Sequence, residues 1–373
     1  MKLICNRDIL LSQIIHAKEF TISKSSLSIG SNVYLKTKQN SLEIKATDNN
    51  LGFITYVNVD TIEDGETTVD CEKLLEILKS FSGIEDIKLE TQNDSMNIQP
   101  GQGSDKKVKF SLKTIPASEF PEMKNSEDFT FFPFNSSDLL DMVKQTNFAV
   151  STDETRNYLC GLYLERFETG VNMVATDGKR LSLVERNMDE NIPVFPSAII
   201  PLRFINCLKK FVGDTTKLQL FIDESVIGAL IDDDVFIYSS LVNGNFPKYR
   251  RIIPESQPNK CILNLSDTKA AINRVSIFVL DKSNKIYLKL TENKVEITSD
   301  ITEMGTASEQ LECDYSGEDC EIALNFQYLL NPLNAMDGDY FSLNFDSPKR
   351  AIKVIPETGT HDYFHIIMPI QQD

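Results

Sequence analysis

The sequence predicts an α+β protein built from three similar domains, each with two helices packed on antiparallel strands. Three recurrences carry this reading. A polar helix start followed by apolar residues at helical spacing appears as NRDILLSQIIHAKEF from Asn6, NSSDLLDMVKQTNF from Asn135 and NLSDTKAAINRVSIF from Asn264, with Asp8, Asp138 and Asp267 separated by 130 and 129 residues. A strand closing on a small polar pair appears as IKATD at Asp48, MVATD at Asp177 and EITSD at Asp300. A second helix, VDCEKLLEILKSFSG (69–83), aligns without gaps on IIPLRFINCLKKFVG (199–213), and IALNFQYLLNPLNAMDG (322–338) is a longer third copy.

The helices are expected at 8–19, 71–81, 137–148, 201–211, 266–278 and 325–336. In the first turns, Asp8, Asp138 and Asp267 are placed to satisfy free N–H groups and the helix dipole. Pro332 is expected to kink or shorten the last helix. Between the helices, alternating segments such as SLEIKATDNN, LQLFID, VFIYSSLV and KVEITSD read as short strands with turn signals. The domains are placed at 1–125, 126–252 and 253–373, with boundaries in FPEMKNSED and YRRIIPESQPNK. A chain of 373 residues suits two to four domains of roughly 100–200 residues.

Composition narrows the function. The formal charge is −17, from 38 basic and 55 acidic residues, which argues against a generally basic nucleic-acid binder. The seven cysteines form no C-x-x-C pair, and three histidines, His16, His361 and His365, are too few for a His-rich metal centre. No metal or cofactor is expected. No run reaches the ~20 apolar residues of a membrane span, and MKLICNRDIL is no signal peptide, so a cytoplasmic protein without membrane contact is expected.

Several motifs admit two readings. VATDGKRLS (174–182) reads as a phosphate or catalytic site, or as a hairpin turn with solvated charges; Asp48 and Asp300 recur without a basic pair, which favours a structural Asp. The apolar C-terminus, Ile366-Ile367-Met368-Pro369-Ile370, reads as a buried last strand or a docking patch. Alternation places Ile366, Met368 and Ile370 on one face and Ile367 opposite, while Pro369 points to an edge or loop. Phe246–Ile252 reads as a basic–aromatic nucleic-acid contact or a linker, and Asp232-Asp233-Asp234 as a hairpin tip in preference to a cation site. GQGSDKK (101–107) is a polar turn, not a P-loop.

Four stretches, TRNYLCGLYLE (155–165), VATDGKRLSLVER (174–186), NGNFPKYRRIIP (243–254) and YFHIIMPIQQD (363–373), resemble the bacterial β sliding clamp family, the processivity subunit of DNA polymerase III. The resemblance spans the chain. It implies the DNA clamp fold: a head-to-tail homodimeric ring whose helices line a hole around duplex DNA. It also implies a partner-peptide cleft of Leu159, Thr176, Gly178, Arg180, Leu181, Pro247, Arg251, Ile252, Asn325, Tyr328, Ile366, Ile367, Met368, Pro369 and Ile370. The implied partners are the polymerase III alpha subunit, the clamp-loader delta subunit, and other polymerases and repair proteins bearing short peptide motifs. DNA-contact positions matched by the resemblance are Lys24, Arg156, Asn157 and Tyr158; interface positions are Phe110, Ile277 and Phe278. The chain departs from the family at Lys179, often histidine, and Asn157, often aromatic.

The charge distribution fits such a ring. The six expected helices hold nine basic and seven acidic residues, a net of +2 that leaves everything else at −19. Lys73, Arg203, Lys209 and Lys210 are added as helix-borne DNA contacts, non-specific and salt-dependent. The expected function is therefore a non-catalytic processivity factor. The alternatives are a repeat-built enzyme using the Asp177–Arg180 turn, and a peptide-binding scaffold that does not bind DNA.

Overall fold

The computed structural model describes residues 1–22, 28–101, 107–188, 192–280, 284–357 and 362–371. The first repeat runs β1 (Lys2–Asn6), α1 (Arg7–Lys18), β2 (Asn32–Lys38), β3 (Ser41–Thr47), β4 (Leu51–Asn58), β5 (Asp60–Glu63), β6 (Gly65–Asp70), α2 (Cys71–Ser80), β7 (Asp86–Gln92), β8 (Ser95–Pro100) and β9 (Phe110–Ile115). The second runs β10 (Phe132–Phe134), α3 (Ser136–Thr146), β11 (Gly161–Phe167), β12 (Gly170–Thr176), β13 (Arg180–Asn187), β14 (Ala198–Pro201), α4 (Leu202–Leu208), β15 (Leu218–Ile222), β16 (Val226–Ile231) and β17 (Val235–Ser240). The third runs β18 (Asn259–Asn264), α5 (Leu265–Val275), β19 (Lys285–Thr291), β20 (Lys294–Ser299), β21 (Ser308–Asp314), β22 (Cys320–Asn325), α6 (Phe326–Ala335), β23 (Tyr340–Phe345), β24 (Ile352–Pro356) and β25 (Tyr363–Ile367).

Among the described residues each repeat thus has two α-helices in the expected order, and four details differ from expectation. Asparagines, not Asp8 and Asp267, cap the first helices: Asn6 Oδ1 accepts from the backbone N–H groups of Asp8 (3.0 Å) and Ile9 (3.1 Å), and Asn264 Oδ1 from that of Asp267 (3.0 Å). Helix α4 ends at Leu208 because the following residues tighten into i→i+3 bonds, Lys210 to Cys207 and Phe211 to Leu208. Helix α5 likewise passes into a 3₁₀ turn at Ser276–Phe278. Pro332 does not break α6, which continues to Ala335 and is closed by Met336 N–H donating to the Pro332 carbonyl (3.0 Å).

In space the chain groups into two compact units, residues 1–136 with 203–241, and residues 137–202 with 242–373. In the first, the described strands form one sheet in the order β10-β15-β16-β17-β4-β3-β2-β6-β9-β8-β7-β1-β5. Its joint is the antiparallel pair β17–β4, Val235 opposite Thr55 through Ser239 opposite Leu51. Tyr238 lies across Gly52 there, and a Cβ on Gly52 would stand 2.3 Å from its ring. Beside the joint, Ile54, Met123, Phe221, Val226, Phe236 and Tyr238 form a core against which Phe120, Phe129 and Phe131 pack. Phe129 and Phe221 stack at 3.8 Å. Asp232–Asp234 is the tip of the β16–β17 hairpin, with Asp232 and Asp233 in the left-handed region and Asp232 Oδ1 accepting from Lys217 N–H.

In the second unit the sheet runs β14-β11-β12-β13-β25-β24-β23-β18-β21-β20-β19-β22. Its joint is β13–β25, Arg180 opposite Ile367 through Val184 opposite Tyr363. The C-terminal strand is therefore interior, flanked by β13 and β24, and no edge strand. No described helix is long and apolar enough to cross a membrane.

Candidate partner-binding cleft

The turn between β12 and β13 is built by its own side chains. Asp177 Oδ1 accepts from the backbone N–H groups of Lys179 (2.9 Å) and Arg180 (3.1 Å). Thr176 Oγ1 accepts from Gly178 N–H (3.1 Å) and donates to the Arg180 carbonyl (2.6 Å). The first repeat builds the same turn. Asp48 Oδ1 accepts from Asn50 and Leu51, and Thr47 Oγ1 accepts from Asn49 and donates to the Leu51 carbonyl. Gly178 (φ +90°) and Asn49 (φ +78°) take the same left-handed position, which only Gly and short polar residues adopt cheaply. The carboxylate of Asp177 is thus spent on structure, as the recurrence suggested. In the third repeat Asp300 instead accepts from the Tyr287 hydroxyl at 2.6 Å.

Arg180 leaves this turn largely buried. Its Nε donates to Asp177 Oδ2 at 3.0 Å, and its guanidinium sits 4.6 Å from the ring centroid of Tyr328 and 5.9 Å from that of Phe148. Its Nη1 is buried without a hydrogen-bond partner. Burial, then Asp177, push the Tyr328 hydroxyl pKa up against the opposing pull of Arg180, so the phenol stays neutral.

The C-terminal segment forms the facing wall. It leaves β25 with Met368 N–H donating to the Lys179 carbonyl (2.9 Å), and Ile370 N–H donates to the Ala323 carbonyl of β22 (2.8 Å). Strand β22 ends at Asn325, whose side chain accepts from Gln327 N–H (2.9 Å) and caps α6, the helix that carries Tyr328. One short run of chain thus spans from the Gly178 turn to the helix of the third repeat. It brings together Gly178, Arg180, Leu181, Asn325, Tyr328 and Ile366–Ile370.

The expected alternation along the C-terminus does not hold. Strand β25 stops at Ile367, where Pro369 soon removes a donor, and Ile366 and Ile367 are both buried because an interior strand is covered on both faces. Met368 is exposed, Pro369 buried and Ile370 half-buried. Leu159, Thr176, Leu181, Ile366 and Ile367 are likewise buried, so their side chains are not presented at the surface. Leu181 and Ile366 pack with Val174, Leu183 and Tyr249.

Tyr249 in turn holds the segment 246–252. Its hydroxyl donates to Glu165 Oε2 (2.7 Å), Arg250 reaches the same oxygen (3.0 Å), and Phe246 stacks on Tyr163 at 4.5 Å. Pro247, Arg251 and Ile252 stand exposed on this anchored segment. Leu159 closes a separate 3₁₀ run, Glu154–Leu159, outside that core cluster. The exposed apolar surface is thus carried by Ile252, Met368 and Pro247. Tyr249 and Phe148 were not legible as site residues: the first sat in a motif with a plausible linker reading, and the second follows a helix with no local signal.

Family models for the DNA polymerase III beta subunit match the chain in three parts: the N-terminal domain at residues 1–124, the central domain at 134–248 and the C-terminal domain at 250–371. The beta sliding clamp of Treponema pallidum is 31% identical over 379 residues, covering all of both chains. The chain belongs to the DNA polymerase III beta subunit family. Among solved structures, the DNA polymerase III subunit beta of Pseudomonas aeruginosa superposes with a TM-score of 0.92 at 25% identity, covering all of both chains. The sliding clamp of Bartonella birtlesii, solved with griselimycin bound, does so at the same score, identity and coverage.

The other expected positions, from the clamp resemblance and from the helix charge count, are placed as follows. Lys24 lies outside the described residues. Lys73 bonds Glu76 (2.8 Å), Lys210 bonds Glu19 (2.6 Å), and Arg203 bonds both the Asp48 carboxylate and the Glu19 carbonyl. Arg156 Nε pairs with Asp153 (2.9 Å). These cations are partly neutralised by neighbours, of which Glu19 and Glu76 are already within the helix net of +2. Lys209 and Asn157 are exposed and Tyr158 half-buried. Ile277 is exposed, Phe278 is half-buried, and the half-buried Phe110 lies 5.5 Å from the Phe81 ring.

Proposed function

We propose that the chain is a non-catalytic processivity clamp: two copies close head to tail around duplex DNA, slide on it, and tether a polymerase through the Arg180–Met368 cleft. The observation that carries the ring is a repeated strand joint. By repeat order, β4, β13 and β21 are equivalent, as are β9, β17 and β25. Two joints of this type occur within the chain, β4 with β17 and β13 with β25. The remaining two members, β21 and β9, pair with neighbours at one edge and at their ends, leaving 308–312 and 110–113 open on the other edge among the described residues. Neither contains a fully buried residue. A second copy that pairs its β9 with this β21 supplies the missing joint at both ends and removes both edges. The two open strands carry opposite charge, Lys109 and Lys113 at β9 against Glu309, already held by Arg274, and Glu312 on β21. Phe110, Ile277 and Phe278 flank the proposed joint.

Within the cleft, Met368 and Ile252 offer apolar contact for one or two peptide anchors, and Arg180, mostly buried and held by Asp177, fixes the wall that carries Tyr328. Burial of one or two side chains at about 1.5–3 kcal/mol each gives weak, exchangeable binding, which two cleft copies per ring strengthen by avidity. The polymerase III alpha subunit, the clamp-loader delta subunit and other polymerases and repair proteins are the partners this cleft is proposed to serve, in the cytoplasm. DNA contacts are few and non-specific, through Arg156, Asn157, Tyr158, Lys209 and, on exchange of their carboxylate partners for phosphate, Lys73, Arg203 and Lys210.

The test is topological. After loading with a clamp loader, the protein should stay on nicked circular DNA and be lost on linearisation, and equal release from both forms overturns the clamp reading.

A further inference from the structure

Glu165, Asn172 and Glu185 stand opposite one another on β11, β12 and β13, a row across three adjacent strands. The segment 246–252 is bonded to this row. The Tyr249 hydroxyl donates to Glu165 Oε2 at 2.7 Å, and Arg250 Nη2 donates to the same oxygen at 3.0 Å. Asn172 is buried, and with its amide turned to satisfy both neighbours it accepts from Arg250 Nη2 at 2.8 Å and donates to Glu185 Oε2 at 3.2 Å. Burial, then Glu165, push the Tyr249 pKa up, so the phenol stays a donor. Tyr249 and Arg250 belong to one 3₁₀ turn, Tyr249–Ile252, which is tied by its own backbone: Tyr249 N–H donates to the Pro247 carbonyl (2.7 Å) and Arg251 N–H to that of Lys248 (3.1 Å). A hold on Tyr249 and Arg250 therefore also fixes Pro247, Arg251 and Ile252, which are exposed.

The first repeat closes the same kind of linker differently. There FPEM (120–123) matches FPKY (246–249), and Phe120 packs on Tyr34 as Phe246 packs on Tyr163. Met123, in the place of Tyr249, enters an apolar core. The equivalent row is Lys36, Glu43 and Tyr56 on β2, β3 and β4, and there the Tyr56 hydroxyl donates to Glu43 at 3.3 Å. The phenol-to-carboxylate hold is thus an addition in the copy whose linker carries a wall of the proposed cleft.

We propose that the Glu165–Asn172–Glu185 row is a seat that sets one wall of the peptide cleft, with Tyr249 and Arg250 as positioning residues for Pro247 and Ile252. The inference rests on the peptide-cleft reading above. Ordering a loop at the moment of binding costs affinity, and a wall already in place avoids that cost. The seat does this ordering in the free protein, through groups that need not touch the peptide.

The experiment uses the full-length protein and a fluorescein-labelled peptide with two apolar anchors, Leu-Phe, read by anisotropy. Tyr249→Phe keeps the ring in the core and removes only the hydroxyl. Arg250→Lys, at an exposed position, keeps the charge and loses the planar fork, and it serves as the second probe should the first variant fold poorly. Each should weaken binding roughly threefold to tenfold, less than one whole apolar anchor contributes. In an Ile252→Ala background the same changes should weaken binding by less than about twofold, because the side chain they position is gone; a role in general stability alone predicts the same factor in both backgrounds. Native affinity in both variants, or an equal loss in the two backgrounds, overturns the seat while leaving the cleft standing. Failure of the native protein to bind the peptide overturns the cleft reading and the seat with it.

Discussion

Arg180 lies 4.6 Å from the ring centroid of Tyr328, joining a turn of the second repeat to a helix of the third. The contact is a cation–π pair in a mostly desolvated setting, reinforced by the Asp177 bond that fixes the guanidinium plane. The guanidinium is thereby oriented, with Nη1 buried and unpartnered among the described residues.

Replacing Arg180 with alanine should weaken binding of an apolar peptide by roughly tenfold, because the Asp177 bond and the aromatic contact that hold the Tyr328 wall in place are lost. Lysine should recover little, since it lacks the planar fork. Anisotropy titrations measure this, and a Kd within threefold of the native value would show that Arg180 only braces the turn.

His365 is buried opposite Ser182, with Nδ1 2.9 Å from the Ser182 hydroxyl and Nε2 unpartnered. Burial lowers its pKa from about 6.5 to about 3. A histidine depressed in the folded state contributes stability that is complete above its unfolded pKa and is lost as pH falls from about 6.5 toward 3. The slope approaches about 1.4 kcal/mol per pH unit. His16, lowered by burial and by Lys210, adds to the same trend. Urea denaturation at pH 7, 6 and 5 should therefore show a shallower decline for His365→Phe than for the native chain. Parallel curves would refute the assignment.

The β4–β17 joint tolerates no side chain at Gly52 without moving Tyr238. Gly52→Ala should cost roughly 1–3 kcal/mol by overpacking. Adding Tyr238→Ser to Gly52→Ala should recover part of that overpacking cost, measured relative to Tyr238→Ser alone. A double-mutant cycle on urea midpoints checks this, and additive losses would mean the ring and the glycine do not meet.

An Ile277→Asp, Phe110→Asp variant should sediment as a monomer, lose retention on circular DNA, and still bind apolar peptides, because neither position belongs to the cleft set. Sedimentation velocity separates the outcomes; an intact dimer would remove these residues from the interface.

Much of the architecture was legible because it is repeated. The threefold recurrence of helix starts, strand ends and second helices located all six helices, and the Thr-Asp strand ends led directly to the turn built by Thr176 and Asp177. Local capping was misjudged, since Asn6 and Asn264 outcompete the aspartates that follow them. The C-terminus was half legible: its apolar run marked a buried strand, but alternation assumes one covered face, and β25 is covered on two. Nothing in the sequence near Phe148 or Tyr249 signalled their contacts, which arise from segments distant in the chain. The net count of +2 over the helices already included Glu19 and Glu76 but could not say that they pair with Lys210 and Lys73, or that Arg203 meets Asp48.

The turn shared by Thr47-Asp48 and Thr176-Asp177 has a consequence for how the chain diversified. Its shape depends on one hydroxyl and one carboxylate inside the turn, so its outward residues are not needed to hold it. In one copy the second carboxylate oxygen became an anchor for Arg203; in the other it steadies Arg180 on the proposed docking wall. A duplicated part with a self-sufficient frame lets one copy be mortar while another becomes a handle, and neither role constrains the other.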